Sequence, residues 1–132
     1  MKARPLFDIA ALFNFLVGIP MLVAYPVVAR LLELEGPPTV WFHITAAVVV
    51  IFGGAYWCIA WDPVRFRPYV YAGIIGKLTF VAIVYGHWLA GSASGRTAML
   101  VTADLVFALL FVAYLRGSQA VADAGRSSIA AP

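Results

Sequence analysis

Four long apolar runs, separated by short polar breaks, pattern this chain: residues 6–25, 40–60, 69–89 and 96–115. Each is about twenty residues long, which is what a helix needs to cross a hydrocarbon core of about 30 Å. The breaks carry start and stop signals. Pro5 sits where the first helix would begin, a position that tolerates its missing N–H. Thr39 is placed to cap the second helix, and Gly36-Pro37-Pro38 stops whatever precedes it. Asp62-Pro63 reads as a turn or cap in the loop Trp61 to Pro68, and Gly91 to Gly95 forms a tight flexible loop. Inside the first run, Pro20 leaves the Leu16 carbonyl without a helical donor, which predicts a kink near Leu16; Pro26 should end the straight part. Residues 27–39 are expected as a loop, with Leu31, Leu32 and Leu34 forming at most a short interfacial turn. Residues 117–132 are Ala/Ser/Gly-rich and expected as a flexible tail or a frayed helical extension. A signal peptide fits the first run poorly, because Asp8 and Asn14 interrupt it and no Ala-x-Ala motif follows.

Composition narrows the class. The chain of 132 residues is 64% hydrophobic and 11% charged, with a mean hydropathy of +0.94. A soluble domain carries about 25% charged residues, so the expected fold is all-α: a single integral-membrane domain, residues 1–116, built as a four-helix antiparallel bundle. Trp41 borders the second run at one end and Trp57 and Trp61 at the other, while Trp88 closes the third, as an aromatic belt requires. The net charge of +3 does not point to nucleic acid, since the basic residues flank apolar runs and form no patch. Instead they set orientation. Lys2, Arg4, Arg65, Arg67, Arg116 and Arg126 fall on one side, and only Arg30 and Arg96 on the other. This asymmetry puts both termini and the Arg65 loop in the cytoplasm, where Arg65 and Arg67 can meet anionic headgroups. The single Cys58 excludes an intrachain disulfide and a four-thiolate metal site; near a membrane border it reads as a small packing residue.

Trp61-Asp62-Pro63-Val64-Arg65-Phe66-Arg67-Pro68, then Gly73-x-x-Gly76-Lys77, then Asp104-x-x-Phe107-Ala108-x-x-Phe111, resemble a group of small bacterial four-helix membrane proteins that are DoxX-like in broad layout. The resemblance spans most of the chain on short motifs. It implies a multi-pass protein of the bacterial inner membrane. Some DoxX-like proteins are accessory partners of quinone-linked redox systems, but this chain lacks paired cysteines for redox chemistry.

Candidate chemistry lies in the polar residues inside the runs. Lys77 is about nine residues into the third helix, roughly 13 Å from the cytoplasmic side. Asp104, counted down the antiparallel fourth helix, lies roughly 18 Å from that side. A lysine stem spans the difference. Either charge alone at mid-membrane costs at least about 2.5–3.5 kcal/mol, so pairing or neutralisation is expected. Such a pair serves either to fix helix register or to anchor a ligand or a proton. Asn14 lies at similar depth, and helical stepping places Asn14, Gly18, Met21 and Tyr25 on one stripe facing the bundle; Asn14 alone reads as interhelical glue. His43, His87 and Tyr25 gather near the opposite border. Two histidines with only Glu33 and Glu35 nearby fall short of the three or four ligands of a stable metal site, so no metal is expected. No phosphate loop, His-Glu-x-x-His motif or serine nucleophile with a paired base is present.

The leading expectation is therefore a non-enzymatic membrane protein. It holds a lipid-like or quinone-like molecule at Lys77, Asp104, Asn14, Tyr25, His43 and His87, or acts as an accessory subunit of a membrane complex. A proton-linked transporter or channel is the first alternative; four helices are few for alternating access, so it would work as a homo-oligomer. A membrane enzyme using Lys77 as base or Schiff-base nucleophile is the second.

Overall fold

The computed structural model describes residues 3–129, with side chains through residue 119. The described residues form five helices: α1 (Ala3–Val23), α2 (Tyr25–Leu32), α3 (Val40–Trp61), α4 (Arg67–Leu89) and α5 (Gly95–Ile129). The fold class is all-α. α1, α3, α4 and the Gly95–Gln119 part of α5 are each long and apolar enough to cross a membrane. Their outward faces expose Ile9, Leu16, Ile51, Ile75 and Leu109. In water such a surface would drive aggregation; in lipid it is the surface a spanning helix needs, with every backbone bond closed inside the helix. The protein is a multi-pass membrane protein.

The helix ends follow local chemistry. Thr39 caps α3 as expected, its hydroxyl accepting the Phe42 N–H at 3.2 Å. Asp62 Oδ1 accepts the Arg65 N–H at 3.0 Å and turns the chain into α4. Ser94 Oγ accepts the Thr97 N–H at 3.1 Å and opens α5. The α5 backbone is helical past Arg116 to Ile129; residues 130–132 lie outside the described residues.

The first helix departs from expectation beyond Pro20. α1 runs through Pro20 to Val23, and the Ala24 N–H still reaches the Pro20 carbonyl at 2.8 Å. The break falls at Ala24 (φ −135°, ψ 43°). Pro26 explains the position: it has no N–H for the Leu22 carbonyl, and its ring crowds that turn. Helix resumes with Pro26 in its first turn, where the missing donor is harmless. Residues 27–32, expected as loop, are therefore the rest of α2. It closes on Glu33 in the left-handed conformation (φ 56°), with the Leu34 N–H donating to the Ala29 carbonyl at 2.9 Å. The carbonyl of Leu32 accepts Ser94 Oγ at 2.5 Å and Thr97 Oγ1 at 3.3 Å, and Glu33 pairs with Arg96 at 3.2 Å. These contacts pin α2 to the start of α5.

Packing divides the bundle into two helix pairs. α1 lies most intimately on α3 and α4 on α5, while the pairs meet more sparingly along α3–α4 and α1–α5. Gly18 sets the first pair: a Cβ there would fall 2.7 Å from Val50 Cγ2 and 3.1 Å from the Val50 backbone nitrogen. At the end carrying the Arg65 loop, Phe7, Ala10, Tyr56, Ile59, Val70 and Phe111 fill the space between the pairs. Phe111 meets Phe7 at 4.8 Å and Tyr56 at 5.2 Å between ring centroids. Toward the end carrying α2, the space between the pairs is a cavity of about 290 Å³.

Candidate functional site

The cavity is lined by apolar side chains of all five helices, and its polar floor is made by Lys77, Asp104 and Asn14. Lys77 is 5% exposed and contacts Asp104 Oδ1 directly across the α4–α5 seam. Its Nζ also donates to Asn14 Oδ1 of α1 at 3.2 Å. The Asn14 amide in turn donates to the Val49 carbonyl of α3 at 3.0 Å, which fixes which end of the side chain faces the lysine. The charge cluster thereby ties all four spanning helices together at one level.

Three rings surround the same ammonium. Nζ stands 5.2 Å from the centroid of Tyr56, 5.3 Å from Phe107 and 5.9 Å from Phe13. Each is within the range where a ring's negative face attracts a cation. An ammonium desolvated this completely keeps its charge only if such contacts replace water. Here one carboxylate, one amide oxygen and three π faces do so. Gly73 makes room for Tyr56: a Cβ at Gly73 would lie 2.8 Å from Tyr56 Cε1. Gly76 likewise brings Phe52 close, with a Cβ at 3.2 Å from its Cζ.

Asp104 is less enclosed, with 18% of its side chain exposed. Oδ2 accepts no hydrogen bond among the described residues, yet no buried unpaired oxygen is present there. Oδ2 therefore retains open surface, and Asp104 lines the cavity.

Of the six candidate residues, the structure brings together Lys77, Asp104 and Asn14. Tyr25, His43 and His87 do not line the cavity. Tyr25 was expected on the stripe of Asn14, Gly18 and Met21, but the break at Ala24 re-aims it, and its hydroxyl donates to the Gly36 carbonyl at 2.7 Å. His43 Nδ1 donates to the Thr39 carbonyl at 3.2 Å, one turn back in its own helix. His87 Nδ1 and Ser92 Oγ share a hydrogen bond at 2.9 Å, which steadies the α4–α5 turn. Sequence reasoning missed Tyr56 and Phe13. A signal for Tyr56 was available: Gly73 lies four residues before Lys77 on the same face of α4, and a small residue beside a buried charge makes room for a large neighbour.

Set against family models, curated proteins and solved structures, the chain matches none.

Proposed function

We propose that this protein is a non-enzymatic binding protein of the bacterial inner membrane, holding a small lipid-like or quinone-like molecule between its two helix pairs. The observation that carries this reading is an apolar cavity, within a membrane-spanning bundle, that ends on a buried Lys77–Asp104 pair. Ligand sites are mostly apolar concavities with a few convergent polar groups, and ionisable side chains inside a membrane mark functional sites by default. A pair serving register alone would need no adjoining space. The resemblance to DoxX-like proteins belongs to the same proposal, as does a role as accessory subunit of a larger membrane complex. Both termini and the Arg65 loop face the cytoplasm on this reading, because Arg4, Arg65, Arg67 and Arg116 cluster on that side against Arg30 and Arg96. On this reading the cavity lies in the periplasmic half of the bilayer, beside α2.

Native mass spectrometry of the protein released from mild detergent tests the proposal. A retained small molecule or membrane partner is expected. A clean, unliganded and partner-free species, in preparations never stripped of lipid, would refute it.

A further inference from the structure

The floor of the cavity restricts what kind of head group can sit on it. Lys77 has three N–H donors, of which Asp104 Oδ1 and Asn14 Oδ1 take two. Among the described residues nothing donates to Asp104 Oδ2, which keeps open surface on a residue that lines the cavity. Apart from the hydroxyls of Thr45, Tyr56 and Thr97 elsewhere in the lining, the floor therefore offers one acceptor and one donor side by side. Its formal charges already cancel. An anionic head would stand against the Asp104 carboxylate, and a cationic head against the Lys77 ammonium, in surroundings too apolar to screen either. Asn14 adds no charge to this balance: its oxygen accepts from Lys77 and its amide donates to the Val49 carbonyl.

Size and shape restrict the remainder. About 290 Å³ is at the small end of ligand pockets, too narrow for the two chains of a phospholipid. From Lys77 to Val84, both lining residues of α4, the cavity runs about 10 Å along the helix axis. Its walls on that path include Val48, Val49, Phe52 and Phe80.

We infer that the ligand is an uncharged, hydroxyl-headed amphiphile with a single apolar body, its O–H donating to Asp104 Oδ2 and its oxygen accepting from Lys77 Nζ. This rests on the binding role proposed above and adds the chemical class of the ligand. The apolar body lies along Phe52 and Phe80 toward α2. Charged single-chain amphiphiles of the same length are rejected at the floor.

The methionines allow a direct test. Met21 is 8% exposed and lines the cavity, whereas Met99 is 76% exposed on the outer surface. The full chain, labelled with ¹³C-methyl methionine in lipid nanodiscs, is titrated with decan-1-ol, with decyl sulfate and with decyltrimethylammonium. The three share a chain and differ in fixed head charge, and Met99 reports bulk partitioning. Decan-1-ol should shift Met21 saturably, with the two charged probes weaker by about tenfold or more. In Asp104→Asn the carboxylate is gone and Lys77 is unmatched, so the order should invert in favour of decyl sulfate. If that variant does not fold, the wild-type titration decides. A charged probe that binds wild type as tightly as the alcohol overturns the head-group assignment and leaves the cavity reading standing. No probe moving Met21 beyond Met99 overturns both.

Discussion

Lys77 is held by contacts of unequal kinds, and substitution separates them. The ion pair to Asp104 dominates, because removing one partner strands the other in a medium that cannot solvate it. Lys77→Met and Asp104→Leu should each destabilise by about 3–5 kcal/mol, measured by reversible unfolding in mild detergent, while the double variant recovers much of the loss. Simple addition of the two single effects would show that the charges do not depend on each other. Asn14 contributes less: Asn14→Leu should cost about 0.6–1.7 kcal/mol, the range of interhelical hydrogen bonds in membranes. At this scale the pair was legible in the sequence. Lys77 and Asp104 interrupt otherwise apolar runs, and their depths along adjacent helices agree. The aromatic residues around Lys77 were legible only in part: Gly73 signals a large neighbour, but nineteen residues of the chain are Phe, Trp or Tyr and spacing alone does not select Phe13 and Tyr56 among them. Tyr25 was misplaced because its assignment assumed an unbroken helix, and the break at Ala24 changes where every later side chain points.

The four spanning helices were legible because insertion into lipid demands long apolar runs, and their ends were legible where a capping side chain exists, as at Thr39. α2 was not, because a helix of eight residues owes its stability to neighbours, and its anchors Ser94, Thr97 and Arg96 lie more than sixty residues away. Helix packing was half legible. Of the adjacent Gly53 and Gly54, only Gly53 receives a neighbour: a Cβ there would lie 2.8 Å from Phe15 Cε1, whereas at Gly54 nothing lies within 4 Å. Gly18→Ala should therefore destabilise the α1–α3 pair by about 1–3 kcal/mol, because its methyl group meets Val50 backbone as well as side chain. Gly54→Ala should be neutral or stabilising by up to about 1 kcal/mol, through helix propensity alone. Thermal unfolding of the two variants side by side checks this; equal losses would mean that the α1–α3 seam is not set by Gly18.

For the whole molecule, orientation and occupancy are the properties that experiment reads directly. With Cys58→Ser as background, a membrane-impermeant thiol reagent applied to intact cells should label Ser92→Cys, in the α4–α5 turn, and spare Val64→Cys, in the loop before α4. The reverse pattern would invert the assignment of cytoplasmic and periplasmic ends. Occupancy decides whether the buried pair exists for a ligand or only for the fold. The most direct measurement extracts the small molecules co-purifying with wild type and with the Lys77→Met/Asp104→Leu double variant, both reconstituted and shown to be equally folded, and compares them by mass spectrometry. The binding account predicts an uncharged amphiphile enriched with wild type and lost from the double variant. The same inventory from both proteins, or none from either, would contradict it.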